Sequence, residues 1–136
     1  MTLKEILKTN KKSYTEERQT IFDIIKSLHH FDYLLLQNYL EKKWIKIWRA
    51  SIFRTLNLFL ELNILKNIYN DSGQNIYEYN DNRKHHEHMK CKKCWIFIEF
   101  DDSEIHNFLE KIAKDNNFKL LNHSINLEWF CENCNK

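Results

Sequence analysis

The sequence has no proline and only one glycine among its 136 residues, and it contains no long apolar run. Every apolar stretch falls well short of the roughly 18 residues that a membrane span requires, so no transmembrane segment is expected. The N-terminal segment also lacks the apolar core of a secretory signal, which predicts a cytoplasmic protein. Repeats and low-complexity tracts are absent too. The hydrophobic fraction of 43% is enough to fill one ordinary domain or two small ones.

Four cysteines form two Cys-x-x-Cys pairs, Cys91 with Cys94 and Cys131 with Cys134. In a reducing cytosol such pairs favour thiolate metal ligands over disulfides, and four thiolates can close a tetrahedral zinc shell. A redox-active pair is the alternative, but two pairs with no adjacent proline are unlike a thioredoxin-type site. The pairs therefore predict one structural zinc ion that supplies folding energy.

A histidine cluster, His85-His86-Glu87-His88, lies just before the first cysteine pair. Alternate side chains of a strand point to opposite sides, so His86 and His88 would share one face while His85 and Glu87 share the other. A merely polar surface strand is the alternative. The cluster is not a His-Glu-x-x-His protease motif, because Lys90 stands where the second histidine is needed. Further candidate ligands are His30, Glu78 and Glu99 for the first face, and His106 and His123 for the second.

Helical periodicity precedes strand patterns in the first part of the chain. Thr15 is a candidate N-cap for one helix, a second predicted helix starts at Asp32, and residues 50–62 repeat apolar side chains at helical spacing. Residues 65–69 and 76–79 flank a turn that holds the single glycine, which predicts a hairpin. Three helices followed by a hairpin are typical of a winged helix-turn-helix.

A second module follows residues 80–84, which are polar, lack periodicity and are the predicted hinge. Residues 103–116 form a predicted helix with a wide apolar stripe. A module of this size has a thin core, so we expect both zinc and a partner subunit to stabilise it. The predicted strands of this module are residues 85–90, 96–100 and 125–130.

Basic side chains crowd the first half of the chain and acidic side chains the second. A basic first half fits a polyanionic partner, although a solvated helix face would show the same pattern. The basic residues concerned are Lys42, Lys43, Lys46, Arg49 and Arg54.

These motifs together resemble the ferric uptake regulator family of metal-dependent bacterial transcription factors, over essentially the whole chain. Residues 50–57, Ala-Ser-Ile-Phe-Arg-Thr-Leu-Asn, are similar to the family's recognition-helix pattern Ala-Thr-Val-Tyr-Arg-x-Leu-Asn. The histidine cluster, the first cysteine pair, residues 98–100, residues 122–124 and the second cysteine pair follow in the family's order.

The resemblance implies an α+β fold, in which a winged helix-turn-helix (residues 1–79) is joined by a hinge (80–84) to an α/β dimerisation domain (85–136). The latter would carry the structural zinc. A regulatory Fe²⁺, Zn²⁺ or Mn²⁺ would lie between the domains, and a further ion within the second domain. The implied ligands are Cys91, Cys94, Cys131 and Cys134 for structural zinc, His30, Glu78, His86, His88 and Glu99 for the regulatory site, and His85, Glu87, His106 and His123 for the additional site.

The resemblance also implies a repressor of metal-uptake or metal-homeostasis genes that binds a palindromic, AT-rich operator in double-stranded DNA as a homodimer or a tetramer. Membranes are not an expected partner. A zinc-ribbon module for RNA or protein, or a metal-storage protein, is the alternative, and no enzymatic activity is expected. The expected DNA contacts are Arg49, Ser51, Phe53 and Arg54 to bases and Lys11, Lys12, Arg18 and Lys46 to phosphates.

Several residues depart from the family pattern, and four of them bear on the expected function. His106 stands where a glutamate is common, which favours zinc or cobalt over a harder ion. Phe53 lacks the hydroxyl of the usual tyrosine. Trp95 replaces a glycine that often follows the first cysteine pair, and Trp48 opens the recognition helix where a small residue is usual.

Overall fold

The computed structural model describes residues 1–71, 74–81, 86–121, 123, 125 and 127–136. The chain divides into two compact units, Met1–Asn82 and Arg83–Lys136. None of the helices in these described ranges combines the length and apolarity of a membrane span. Several predicted features lie outside the described residues, namely Gly73 in the turn, residues 82–84 of the hinge, His85, Asn122 and Ser124.

Four helices lie in the first unit. They are α1 (Leu3–Thr9), α2 (Glu16–Leu28), α3 (Tyr33–Lys42) and α4 (Arg49–Glu61). The last three confirm the predicted helices, whereas α1 was not predicted. Its signal was present in the sequence, because Thr2 and Glu5 form a reciprocal capping box at its start.

Side-chain caps fix where α2 and α3 begin. The Thr15 hydroxyl accepts a hydrogen bond from the Arg18 backbone N–H at 3.2 Å, and Asp32 accepts one from Leu35 at 2.7 Å. Each bond satisfies a backbone donor that the helix itself leaves unpaired. The predicted N-cap at Thr15 is therefore confirmed, and Asp32 is the N-cap of the helix that was predicted to start there.

A three-stranded antiparallel sheet completes the first unit. Its strands are β1 (His30–Phe31), β2 (Leu65–Asp71) and β3 (Gln74–Tyr79), in the order β1-β3-β2. Strands β2 and β3 form the predicted hairpin. The two-residue β1 was not predicted, since alternation cannot be recognised in so short a segment. It pairs with β3 so that His30 stands opposite Glu78.

The helices and the sheet of the first unit enclose one apolar core. Leu7, Ile25, Leu56 and Phe59 are completely buried there, and the ring of Phe22 meets that of Phe59 edge-on at 6.1 Å. These side chains come from α1, α2 and α4, and their burial explains why apolar residues recur at helical spacing. The first unit thus has a core of its own and the arrangement of a winged helix-turn-helix.

The described part of the second unit contains a hairpin and one helix. Its elements are β4 (His86–Lys90), β5 (Phe97–Asp101) and α5 (Ser103–Asp115), with β4 and β5 antiparallel. The predicted strand at residues 125–130 is wrong for the described part of that stretch. Only Trp129 pairs there, in an isolated parallel bridge to Cys91. Leu127 and Phe130, whose apolar character suggested a strand, are about half exposed.

The core of the second unit is thin, as expected from its size. Among its described residues only Cys91 and Asp102 are buried, whereas Phe108 on α5 is 63% exposed. Apolar burial alone therefore contributes little to the folding of this unit. Other apolar side chains left exposed are Ile98, Ile112, Phe118 and Leu121.

Candidate metal centres and nucleic-acid interface

The four cysteines form one cluster in the second unit. Their Sγ atoms all lie within 4.8 Å of one another, those of Cys94 and Cys131 being 3.5 Å apart, and all four are free thiols. Zinc–sulfur bonds of about 2.3 Å in a tetrahedron place the sulfurs about 3.8 Å apart. The cluster therefore fits a structural zinc ion and not a pair of disulfides.

Backbone pairing brings the two Cys-x-x-Cys motifs together. The Lys92 N–H donates to the Trp129 carbonyl at 2.8 Å, next to the bridge between Cys91 and Trp129. The Cys131 N–H then donates to the Cys91 sulfur at 3.4 Å. This bond, reinforced by the Cys94 N–H, lowers the pKa of the Cys91 thiol to about 5. Cys91 is consequently a thiolate at neutral pH, the form that binds zinc.

The pKa of the Cys134 thiol is shifted in the opposite direction. A hydrogen bond with the Cys131 side chain, together with burial, raises the pKa of the Cys134 thiol to about 12. One sulfur of the cluster therefore carries negative charge while another keeps its proton in the absence of metal. Binding of zinc, which needs thiolates, must displace that proton.

A histidine and a carboxylate face each other in the first unit. The His30 Nε2 atom lies 3.2 Å from Glu78 Oε1, because β1 and β3 pair in that register. His29, which ends α2, takes a left-handed backbone conformation with φ 58°, and this turn leads the chain directly into β1. The Glu78 side chain is only 5% exposed. The pair offers one nitrogen and one oxygen ligand suited to a divalent ion.

A second set of ligand-type side chains lies on the hairpin of the second unit. His88 stands opposite Glu99 across β4 and β5, the His86 Nε2 atom lies 3.9 Å from Glu99 Oε1, and the rings of His86 and His88 are 4.8 Å apart. The three side chains share one face of the strand pair. They supply two imidazoles and a carboxylate.

The opposite face of β4 carries a third cluster, also within the second unit. The ligand atoms of Glu87, Asp102 and His123 lie within 4.8 Å of one another. His123 Nε2 is 3.2 Å from Asp102 Oδ2 and 3.6 Å from Glu87 Oε1. All three side chains are nearly buried. A buried group of two carboxylates and an imidazole is a reasonable cation site.

Sequence reasoning missed Asp102 as a member of this cluster. Asp102 is the N-cap of α5, yet its side chain makes no capping hydrogen bond within the described helix start and lies on His123 instead. An aspartate directly before a helix was visible in the sequence, but it suggests a cap first. His106 was proposed for the same site. Its ring centroid is 5.3 Å from that of His123, and its Nε2 lies 3.7 Å from Glu110.

Helix α4 has one buried face and one accessible face. Ile52, Leu56 and Phe59 point into the core, whereas Arg49 and Arg54 are exposed. The Arg54 guanidinium donates to the Ser51 hydroxyl at 3.1 Å. The accessible face is therefore cationic with one hydroxyl, which suits a nucleic-acid groove.

The residues expected at phosphates have different surroundings. Lys11 and Lys46 are exposed, and Lys12 forms an ion pair with Glu61 at 2.8 Å. Arg18 donates to the Ser13 hydroxyl at 2.9 Å. Trp48, the N-cap of α4, is 83% exposed.

The chain matches the ferric uptake regulator family over residues 9–128. It is 34% identical to the ferric uptake regulation protein of Campylobacter upsaliensis and 35% identical to that of Campylobacter jejuni, each over 138 aligned positions. Each alignment covers 97% of this chain, and 86% and 85% of the two relatives. The crystal structure of the Vibrio cholerae ferric uptake regulator superposes with a TM-score of 0.82 and 27% identity, covering 96% of this chain and 100% of that one. The chain belongs to the ferric uptake regulator family and is a metal-responsive DNA-binding transcriptional regulator.

Proposed function

We propose that the chain is a cytoplasmic repressor whose affinity for its operator is set by a divalent metal bound jointly by the two units. The observation that supports this is the pair His30 and Glu78. It is a preformed but incomplete ligand set in the unit that carries α4. The three ligands on the hairpin of the second unit are incomplete in the same way. Together they offer three imidazoles and two carboxylates, a set that accepts Fe²⁺, Zn²⁺ or Mn²⁺.

The proposed coupling is a population shift. Without the regulatory metal the DNA-binding unit takes several orientations about residues 80–84, and only some of them suit an operator. Ligation of His30 and Glu78 to the same ion as His86, His88 and Glu99 favours one orientation. Couplings of this kind commonly change affinity by roughly 5- to 150-fold.

The proposed DNA complex contains a homodimer on a palindromic, AT-rich operator, with two α4 helices in successive major grooves. Arg49, Ser51, Phe53 and Arg54 would face the bases. A tetramer is the alternative assembly on longer operators. The proposed phosphate contacts are Lys11, Lys12, Arg18 and Lys46, which fix position without reading sequence.

Two further metal sites belong to the proposal. The four cysteines would hold structural zinc, and Glu87, Asp102 and His123, together with His85 and His106, would form the additional site. Because His106 adds an imidazole where a carboxylate is usual, the additional site should prefer zinc or cobalt over a harder ion.

A binding experiment tests the proposed function. Duplexes would first be selected from a randomised pool by protein loaded with each divalent metal in turn, and anisotropy would then measure affinity with metal and with chelator. We expect Arg54→Ala to lose specific binding with unchanged metal stoichiometry, because it removes only a DNA contact. His88→Ala should bind weakly whether or not metal is present, since it removes a ligand.

Lys114→Ala is the matched control, because Lys114 is an exposed cation on α5 outside every proposed site. It should retain metal-dependent binding. The proposed function would be contradicted by a wild-type protein whose affinity for selected DNA is the same with metal and with chelator.

A further inference from the structure

We propose that Tyr33 is a specificity-determining residue of the DNA interface, which acts by positioning Arg49 of α4. The inference rests on the proposed function, because it assumes that α4 enters a DNA groove. It adds a residue from a different helix to the reading surface. Tyr33 would act through Arg49 and is therefore a positioning residue.

The inference starts from two stacked rings and the cation beside them. The rings of Tyr33 and Phe53 are nearly parallel, with centroids 4.7 Å apart and an interplanar angle of 17°. The Arg49 guanidinium carbon lies 5.2 Å from the Tyr33 centroid and 5.5 Å from the Phe53 centroid. Arg49 and Phe53 are four residues apart on one face of α4, so they are neighbours on the helix surface. Tyr33 begins α3 and completes the stack.

The position of this stack suits base recognition. Arg49 is the first residue of α4, and the N-terminal residues of a recognition helix are those that reach base edges in the major groove. Arg49 is exposed, whereas Tyr33 and Phe53 are half-buried. The rings thus lie alongside a solvent-facing cation and restrain it.

Contact with aromatic rings leaves the recognition chemistry of Arg49 intact. The rings hold the cation without a carboxylate that would occupy its N–H groups, and no carboxylate in the described part of the chain forms an ion pair with it. Two such N–H groups match the O6 and N7 acceptors of guanine. A long side chain that is already restrained also loses less conformational freedom on binding.

Arg54 provides a useful contrast on the same helix. Its guanidinium is held by a hydrogen bond to Ser51, which occupies an N–H group, and no stacked ring supports it among the described residues. The two arginines are therefore restrained by different chemistry. Loss of an aromatic ring at position 33 should affect Arg49 and not Arg54.

A double-mutant cycle tests this. Wild type, Tyr33→Leu, Arg49→Ala and the double variant would be compared on a duplex selected by the wild-type protein and on the same duplex with each guanine in turn replaced by 7-deazaguanine. We expect one guanine at which loss of N7 weakens binding by the wild type but has much less effect on binding by Tyr33→Leu. Discrimination should fall by about tenfold in either single variant, the size of one lost base contact, and no further in the double variant.

Two variants separate positioning from folding. Tyr33→Phe keeps the ring and should keep discrimination. Tyr39→Leu is the matched control, since Tyr39 is another half-buried tyrosine of α3 with a lysine over its ring, Lys43 at 5.9 Å. Thermal melting of every variant checks that the first unit is folded.

The inference would be overturned if Tyr33→Leu weakened binding to the selected duplex and to its 7-deazaguanine versions equally. It would also be overturned if the losses of discrimination in the two single variants added up in the double variant. Tyr33 would then have a purely structural role. Failure of the proposed function gives a different result. In that case the wild-type protein selects no duplex in a metal-dependent manner, and both proposals fall together. If the wild type selects a duplex but Tyr33→Leu discriminates as well as the wild type does, only the inference about Tyr33 fails.

Discussion

At the scale of single residues, side chains at helix starts serve two purposes in this protein. Thr15 caps α2 through a hydrogen bond to the backbone, as a helix start requires. Asp102 occupies the equivalent position of α5, but its Oδ2 atom lies 3.2 Å from the Nε2 atom of His123. A capping position thus places a carboxylate in a buried cluster with Glu87 and His123, where a cation would compensate its charge.

The first prediction concerns Asp102. We expect Asp102→Asn to weaken metal binding at the cluster of Glu87 and His123 by at least about tenfold, because a neutral amide replaces a buried anionic ligand. Competition with a chromophoric chelator would measure the affinity. Asp101→Asn is the matched control, since the Asp101 carboxylate accepts a hydrogen bond from the Ser103 N–H at 2.8 Å. Equal affinities in wild type and Asp102→Asn would contradict the assignment.

Some of these residue-level features were predictable and others were not. The cap at Thr15 and the helix start at Asp32 follow from local chemistry and were identified from the sequence. Trp95 was seen from the sequence to stand where a glycine is usual. The structure shows why glycine suits this position, because Trp95 has a left-handed φ of 67°. The partnership of Asp102 with His123 was not predictable, because it depends on a contact between residues 21 positions apart. Long-range contacts leave no periodic trace in a sequence.

At the scale of elements, length and periodicity decided what could be foreseen. Helices α2, α4 and α5 span 13 residues each, long enough for an apolar stripe to repeat. The predicted strand at residues 125–130 failed because its apolar side chains are half exposed in the isolated chain. Apolar residues that would be covered by a partner subunit can thus be mistaken for those of a strand in a sheet.

The second prediction concerns the apolar stripe of α5. Ile105, Phe108 and Ile112 recur at helical spacing and are each more than a third exposed, so we expect them at the contact between two subunits. Phe108→Glu should raise the dimer dissociation constant by roughly 30-fold or more, equivalent to about 2 kcal/mol, because it places a charge in an apolar contact. Sedimentation equilibrium would measure this constant.

Lys111→Glu serves as the control, because Lys111 is an exposed residue of the same helix and the change introduces the same side chain. It should leave the assembly unchanged. If the Phe108 variant remains as dimeric as wild type, the subunit contact lies elsewhere.

At the scale of the whole molecule, the two units depend on different sources of stability. The first has a continuous core that includes Leu7, Ile25 and Phe59. The second buries only Cys91 and Asp102 among its described residues. Zinc binding by four cysteines contributes on the order of 10 kcal/mol at neutral pH. The second unit should therefore depend on metal much more than the first.

The third prediction follows from this difference. Under reducing conditions, a strong chelator should unfold the second unit at low urea while the transition of the first unit keeps its midpoint. Hydrogen exchange followed by mass spectrometry would resolve the two units. Cys131→Ser should behave like chelated wild type and respond no further to chelator. A single shared transition, equally placed with and without chelator, would rule out separate stabilisation.

The wide spacing of the two Cys-x-x-Cys motifs has one more consequence. Everything between Cys94 and Cys131, including the whole of α5, is a loop that the zinc ion would close, and its ends are otherwise joined by the short pairing of Cys91 and Lys92 with Trp129. Closing a loop of this length removes considerable freedom from the open chain. Loss of zinc would then release α5, the helix on which we expect the subunit contact. We therefore expect a cell that is short of zinc to hold this regulator as separate subunits that cannot span an operator.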